Sequence, residues 1–174
     1  MKVAIAGAGA VGRSIARELL SSAHEVTLFE RLAAHIDTTA VPDAAWVLGD
    51  ACELSNLERA QLHLFDVMIA ATGDDKANLV VSLLAKTEFA VNRVVARVND
   101  PRNEWLFGED WGVDVAVSTP RLLASLVEEA VSVGDLVRLM TFRQGQANLV
   151  ELTLPPNTPL AGKPVRKLVL PRDA

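Results

Sequence analysis

The sequence predicts an α/β fold in which helices cover both faces of a doubly wound, parallel six-stranded sheet. Short apolar runs alternate with segments of helical periodicity, as in a chain of βαβ units. Runs such as residues 67–71 are apolar throughout, which is typical of strands buried on both faces. A glycine-rich turn follows the first run. With 174 residues, half of them apolar, the chain can bury a core of this kind.

The strands and helices follow one another at short spacing. Helical periodicity covers residues 11–20 and 78–85, and a long helix begins at Pro120, a residue suited to a first helical turn. Six strands are predicted, at residues 3–6, 25–30, 45–48, 67–71, 93–98 and 113–117.

The character of the chain changes after residue 134. Residues 1–134 form the predicted first domain, with a boundary near 134–145. Residues 147–154 alternate as a strand of a different kind and are broken by Pro155 and Pro156. We expect residues 145–174 to be the start of a second lobe, too short to be self-sufficient and either truncated or completed by another subunit.

Composition excludes several classes of protein. A net charge of −5 argues against binding of nucleic acid, and no apolar run reaches the roughly 18 residues of a membrane span. The single Cys52 excludes an internal disulfide framework, and residues 1–5 lack the features of a signal peptide. We therefore expect a cytoplasmic protein.

The turn after the first strand has the pattern G-x-G-x-x-G, formed by Gly7, Gly9 and Gly12. Such glycines permit a tight turn, a close approach of the backbone to a pyrophosphate, and close packing of helix on strand. The following helix N-terminus offers free N–H groups to phosphate. This predicts a Rossmann-type nucleotide site, with the intervening residues Ala8, Ala10 and Val11 at the same turn.

Glu30 ends the second strand and lies 18 residues after Gly12. A carboxylate there can accept hydrogen bonds from the ribose hydroxyls of adenosine. It would repel a 2′-phosphate, which favours NAD or another unphosphorylated ribose. The next residue, Arg31, could contact a ribose phosphate or be a solvated surface arginine.

Two further turns are predicted to face the same crevice. Asp50, between Gly49 and Ala51, could accept a hydrogen bond from the adenine amine, and the Ala51 N–H could reach a ring nitrogen of adenine. Alternatively, Asp50 belongs to a simple turn or caps a helix.

The other turn, Thr72-Gly73-Asp74-Asp75, lies across the switch point, where ligands bind in open α/β sheets. Asp74 or Asp75 could instead cap the next helix, and Asn78 lies one turn into that helix. Arg97 ends the fifth strand and could reach phosphate or be a paired structural arginine.

No catalytic constellation accompanies this site. His24, His35 and His63 do not follow predicted strand ends and are interpreted as surface residues, and no Cys/His cluster has metal-ligand spacing. An aromatic group is interpreted as core: Trp105, Phe107 and Trp111. A site that binds without reacting suits a sensor, so we expect no enzyme activity.

Several segments together resemble the RCK/KTN domains of TrkA and KtrA, regulatory subunits of potassium uptake systems. They are residues 1–12, Gly49-Asp50-Ala51, Ala71-Thr72-Gly73-Asp74-Asp75 with Asn78, residues 96–98, and residues 159–165, which look like the opening of the family's C-terminal lobe. The resemblance covers essentially the whole chain. It implies that Gly7, Gly9, Gly12, Glu30, Asp50, Thr72, Gly73, Asp74, Asn78 and Arg97 contact the nucleotide.

The resemblance also implies a mode of assembly. It predicts homodimers built through a crossover helix at about residues 120–134, a larger ring, and a TrkH- or KtrB-like membrane potassium transporter as partner. Members similar to KtrA carry an arginine where this chain has Ala10. The ligand expected here is therefore NAD or NADH, with ADP or ATP as alternatives.

Three other functions remain open from the sequence. They are a small NAD-dependent oxidoreductase, a dimerisation module with a vestigial site, and the gating ring of a potassium channel.

Overall fold

The computed structural model describes residues 1–131, 136–142, 147–152, 154, 157–159, 162 and 164. Six parallel strands form one sheet in the order β3-β2-β1-β4-β5-β6. This order confirms the predicted doubly wound fold, in which the direction of winding reverses between β1 and β4. The strands are β1 (Lys2–Ala6), β2 (Glu25–Glu30), β3 (Ala45–Leu48), β4 (Val67–Ala70), β5 (Arg93–Val98) and β6 (Val115–Ser118).

Four α-helices accompany the sheet: α1 (Ala10–Ser21), α2 (Leu54–Arg59), α3 (Asp75–Thr87) and α4 (Thr119–Val131). Short 3₁₀ segments lie at Ala33–His35, Leu62–Leu64, Pro101–Leu106 and Glu109–Trp111. Helix α3 begins three residues before its predicted start, because Asp74 caps it. Among the described residues, no helix is long and apolar enough to cross a membrane.

Side chains alternate between the two faces of the sheet, and each face carries its own core. In β1, Val3 and Ile5 pack on one side with Ala16 of α1, whereas Ala4 and Ala6 pack on the other with Leu79 of α3. Residues 3–6 of β1 are all apolar and buried, as the sequence indicated, and only Lys2 at the start of the strand is exposed.

The sixth strand begins two residues later than predicted. Gly112 has a left-handed backbone (φ 70°), and the Val113 N–H donates to Gly108 O in the same turn. Asp114 then accepts the Val94 N–H at 2.7 Å and pairs with Lys86. These contacts hold residues 113 and 114 in a turn.

The predicted aromatic core is correct in part. Phe107 is fully buried and Trp111 packs against the core, but Trp105 is 79% exposed. Trp105 lies in the Pro101–Leu106 segment, which is a 3₁₀ helix. Its residues do not follow the 3.6-residue period of an α-helix, so the spacing of the aromatic residues does not place them all on one buried face.

The chain divides into two compact units, Met1–Arg121 and Leu122–Ala174. In the second unit, strands β7 (Leu136–Phe142) and β8 (Ala147–Leu152) pair antiparallel. Strand β7 occupies the segment where the sequence suggested a boundary. The predicted domain limits stay a prediction, and much of the predicted second lobe, including residues 165–174, lies outside the described residues.

Candidate functional site

A cavity of about 850 Å³ opens at the carboxyl ends of β1, β2, β4 and β5 in the first unit. This volume is within the range of small-molecule sites, and the position is the topological switch point. It is lined by Ala6, Gly7, Gly9, Ala10, Val11, Phe29, Glu30, Arg31, Leu32, His35, Gly49, Asp50, Ala51, Cys52, Ala71, Thr72, Gly73, Asp74, Lys76, Ala77, Val80, Val81 and Arg97.

The three glycines of the first turn meet different surroundings. Gly7 has φ 99°, and a Cβ there would lie 2.9 Å from Thr72 Cα. A Cβ on Gly12 would lie 1.9 Å from Gly7 O, so helix α1 can pass the turn only with glycine at that position. A Cβ on Gly9 would meet nothing within 4 Å. Internal packing therefore explains Gly7 and Gly12, whereas Gly9 keeps open space beside the cavity.

Helix α1 begins in that open space without a side-chain cap. Gly9 is its N-cap, and no side chain accepts from the first turn there. The first four N–H groups of an α-helix have no intrahelical acceptor and carry the positive end of the helix dipole. The wall formed by Gly9, Ala10 and Val11 is thus suited to an anionic group.

Glu30 extends into the cavity from the end of β2. Its Oε1 accepts the Leu32 N–H at 3.0 Å and its Oε2 accepts the Ala8 N–H at 3.4 Å. His35 Nδ1 lies 3.7 Å from Glu30 Oε1. The carboxylate is therefore held in place by backbone N–H groups at the mouth of the cavity.

Asp50 forms the next part of the wall, after β3. Its Oδ1 accepts the Cys52 N–H at 2.9 Å, and its Oδ2 lies 3.9 Å from Arg31 Nη1. Because the Arg31 side chain is 71% exposed, this ion pair contributes little to stability.

Cys52 is a half-buried free thiol on the same wall, and its Sγ donates to Ala77 O at 3.7 Å. Burial, with the nearby Asp50 charge, raises the pKa of Cys52 to about 11. The thiol is therefore protonated and uncharged at neutral pH.

The opposite wall is fixed by hydrogen bonds at the start of α3. Asp74 Oδ1 accepts the Lys76 N–H at 2.9 Å, which confirms that one of the two aspartates caps the helix. Asn78 is fully buried; its Oδ1 accepts from Thr72 N at 2.9 Å and from Thr72 Oγ1 at 2.7 Å. Its Nδ2 donates to Arg97 O at 2.9 Å.

Arg97 closes the cavity at the end of β5. Its Nε atom is buried and has no hydrogen-bond partner among the described residues. Buried polar groups are normally paired, so this donor marks a place where an acceptor is missing.

The structure brings nearly all the sequence-predicted site residues to one cavity. Three of them do not line it: Ala8 is buried, Gly12 packs on Gly7 O, and Asn78 supports Thr72 and Arg97 from behind. Their predicted contact with nucleotide stays a prediction.

Sequence reasoning missed several lining residues. They are Ala6, Phe29, Leu32, His35, Cys52, Lys76, Ala77, Val80 and Val81. Ala77, Val80 and Val81 recur at helical spacing after Asp74, a signal that identifies one face of α3. His35 carried no such signal, because the irregular chain after β2 brings it back to Glu30.

No group of three or more His, Cys, Asp or Glu side chains in the described part of the chain could hold a metal ion. The strand order, the glycine turn and the cavity at the switch point define the class of protein: a domain with the Rossmann-like α/β fold.

The family model of the TrkA-N domain matches residues 3–119, and the chain belongs to that family. The Trk system potassium uptake protein TrkA of Mycobacterium tuberculosis is 74% identical over 174 residues, which cover 100% of this chain and 79% of that protein.

Solved structures share the fold. The TrkA-N domain of the inner membrane protein YbaL from Escherichia coli has a TM-score of 0.68 at 18% identity, over 75% of this chain and 96% of that chain. GsuK bound to ADP has a TM-score of 0.64 at 25% identity, over 74% of this chain and 33% of that chain.

Proposed function

We propose that this protein is a nucleotide-sensing regulatory subunit of a Trk/Ktr-type potassium uptake transporter, acting at the cytosolic face of the membrane, and that it is not an enzyme. The observation that carries the proposal is the open space at Gly9 beside the uncapped N-terminus of α1. High identity to a potassium uptake protein TrkA supports the system in which it acts.

The cavity residues fit an adenosine nucleotide. Its phosphates would contact the N–H groups of the α1 turn, and the unpaired Nε of Arg97 would donate to a phosphate or ribose oxygen. Glu30 would accept from the ribose hydroxyls, and the carboxylate excludes a 2′-phosphate by repulsion. Adenine would lie beside Asp50 and Ala51 in the cavity wall, where the Asp50 carboxylate could accept from the adenine amine.

The ligand favoured is NAD or NADH, with ADP or ATP as alternatives. The G-x-G-x-x-G turn followed by Glu30 supports a dinucleotide. The likeness to GsuK, solved with ADP bound, supports the adenine nucleotides as well.

The proposed switch is a ligand-dependent rearrangement of paired N-terminal lobes. A ligand changes a conformational equilibrium only through different affinities for the two states, and a coupling of about 1–3 kcal/mol suffices. Helix α4 supports pairing, because four of its apolar side chains are exposed in the isolated chain: Leu123, Leu126, Val127 and Val131. We propose a homodimer through this helix, assembling into a larger ring.

Thermal unfolding with each nucleotide tests the binding site. At 100 times its dissociation constant, the preferred ligand should add about 2.7 kcal/mol to the free energy of unfolding. NADPH should give no comparable gain, because Glu30 opposes its 2′-phosphate. If no adenine nucleotide raises the unfolding temperature, the proposed function is wrong.

Alkylation of Cys52, the only cysteine of the chain, gives an independent readout. The thiol lies in the cavity wall, so bound nucleotide should slow its reaction with a maleimide at mildly alkaline pH. Unchanged labelling at a saturating concentration of a nucleotide that stabilises the protein would place the ligand elsewhere.

Two measurements separate the alternatives. A sensor leaves the absorbance of NADH at 340 nm unchanged in the presence of candidate acceptors, whereas an oxidoreductase consumes it. The likeness to GsuK, another structure of which is described as the GsuK channel, favours a channel gating ring as a second candidate. Co-purification with a potassium transporter rather than a potassium channel subunit distinguishes these two assemblies.

A further inference from the structure

Asp75 is a buried carboxylate that does not line the cavity. Only 8% of the residue is exposed, although it is the first residue of helix α3. Its Oδ1 accepts from the Asn99 N–H at 2.6 Å and from Asn99 Nδ2 at 3.0 Å. Its Oδ2 accepts from the Asp100 N–H at 3.0 Å and from Asn103 Nδ2 at 2.8 Å. One carboxylate therefore ties the chain that follows β5 to the first turn of α3.

The same network reaches the wall of the cavity. Thr72 O accepts from Asn99 Nδ2 at 3.1 Å and from Asn78 Nδ2 at 3.2 Å. Asn78 also holds Arg97 O at 2.9 Å. Because Thr72 and Arg97 line the cavity, a ligand that displaces either residue pulls on Asn99 or Asn78, and through Asn99 on Asp75.

Beyond Asp75, the contacts continue to the start of α4. Asn103 belongs to the Pro101–Leu106 segment, and the next residue, Glu104, pairs with Arg121 Nε at 2.9 Å. Arg121 lies in the first turn of α4. Every link from Thr72 to Arg121 is thus a hydrogen bond, an ion pair or a peptide bond.

We propose that Asp75 is a positioning residue that transmits occupancy of the cavity to the Pro101–Leu106 segment and the beginning of α4. This inference rests on the proposed function, because it assumes that the cavity binds a nucleotide. If Asp75 only stabilised the fold, the Pro101–Leu106 segment would behave the same with and without ligand. If Asp75 transmits occupancy of the cavity, this segment responds to a ligand that does not touch it.

Hydrogen–deuterium exchange of residues 101–108 with and without NADH tests the proposal, alongside titration of NADH binding. In the wild-type protein, NADH should slow exchange in this segment by about fivefold. Asp75→Asn replaces an acceptor with an amide whose N–H groups face the donors of Asp100 and Asn103. This variant should bind NADH within about threefold of wild type, yet show no ligand-dependent change in exchange.

Two further variants complete the experiment. Asn103→Ala removes only the side-chain link to the Pro101–Leu106 segment, so it carries the test if Asp75→Asn fails to fold. Arg102→Gln is the matched control: it breaks the exposed Arg102–Asp100 pair in the same segment, outside the proposed route. Arg102→Gln should respond to NADH as the wild type does.

The outcomes separate this inference from the proposed function. If NADH, NAD, ADP and ATP all fail to bind the wild-type protein, both are wrong. If one of them binds but the exchange of residues 101–108 does not change, only the inference is overturned. The same holds if Asn103→Ala and any folded Asp75→Asn respond to ligand as the wild type does.

Discussion

Helices α1 and α3 both begin at the cavity, but their N-termini are built in opposite ways. Helix α1 starts at Gly9 with no side-chain cap and with open space beside it. Helix α3 starts at Asp74, whose carboxylate accepts the Lys76 N–H, and continues into the hydrogen-bonded Asp75. A side chain of the protein thus caps the first turn of α3, whereas the first turn of α1 is left to water or a ligand.

The difference between the two helix N-termini shows that equivalent positions on the two sides of the switch point can have different roles. Each helix follows a strand next to the switch point, so both dipoles carry positive charge toward the cavity. A carboxylate accepts a first-turn N–H at α3, whereas no described side chain caps the first turn of α1. We therefore expect anion binding at α1 and a structural role for the start of α3.

The largest effect should come from Gly12→Ala. The added Cβ would lie 1.9 Å from Gly7 O, a contact that only a backbone shift can relieve. We expect the free energy of unfolding in urea to fall by at least about 3 kcal/mol. A loss below about 1 kcal/mol would mean that the turn yields easily, and that packing does not fix glycine at this position.

Gly9→Ser should separate stability from binding. Gly9 has φ −70° and ψ −172°, a backbone that a serine N-cap adopts, and its Cβ has room. The free energy of unfolding should be unchanged or higher by up to about 1 kcal/mol. Nucleotide affinity should fall at least about tenfold, or 1.4 kcal/mol, because the side chain occupies the approach to the helix N-terminus.

Calorimetric titration of Gly9→Ser with NADH, beside thermal unfolding of the free variant, measures both quantities. Retained affinity in a stable variant would show that the α1 turn does not receive the phosphates. It would also remove the contrast between the two helix ends.

At α3, removal of the cap should affect folding. Asp74→Ala should cost about 1 kcal/mol of unfolding free energy, because the Lys76 N–H loses its acceptor. Asp74→Asn supplies an amide oxygen to the same N–H and should recover most of the loss in urea unfolding. Equal losses in both variants would indicate that the charge of Asp74, rather than its capping bond, stabilises the helix.

The smallest effect concerns acid stability. Burial alone would raise the pKa of Asp75, but hydrogen bonds from Asn103, Asn99 and Asp100 outweigh it and hold the pKa below its ordinary value. Stability from this group is therefore present above the unfolded-state pKa of about 3.9 and lost as pH falls through the lower folded-state pKa.

Urea unfolding at a series of pH values should show this loss setting in below about pH 5 and continuing as the pH falls through the lowered folded-state pKa. The free energy of unfolding should fall less steeply with decreasing pH in Asp75→Asn than in the wild type. The pKa values of Asp37 and Asp100 are also lowered, but these carboxylates contribute the same pH dependence to both proteins. Parallel curves would show that Asp75 does not contribute to acid unfolding.

Patterns that act over a few residues were sufficient to predict most of the fold. The strands at residues 25–30, 45–48 and 93–98 have the predicted bounds, and the glycine turn occupies the predicted place between β1 and α1. The doubly wound parallel arrangement was predicted from the same patterns, because parallel strands joined by short helical connections have few possible arrangements.

Several features of the site depend on contacts between distant residues, which the sequence does not reveal. The Asn78 side chain hydrogen-bonds to Thr72 and Arg97 in the described structure, and its predicted contact with nucleotide stays a prediction. Trp105 was interpreted as core and is exposed. His35 was interpreted as a surface residue and is exposed, but the sequence did not indicate that its Nδ1 lies 3.7 Å from Glu30 Oε1. Aromatic or polar character alone does not specify which neighbour a side chain will meet.

The sequence by itself determined the parallel α/β architecture and the turn that faces its crevice, because periodicity and glycine act through local backbone geometry. Only the tertiary structure decided which glycine is needed for packing and which keeps space open, and which aspartate caps α3 while the other is tied to the Pro101–Leu106 segment. Those distinctions depend on atoms brought together from separate strands, and their distances are set when the sheet assembles.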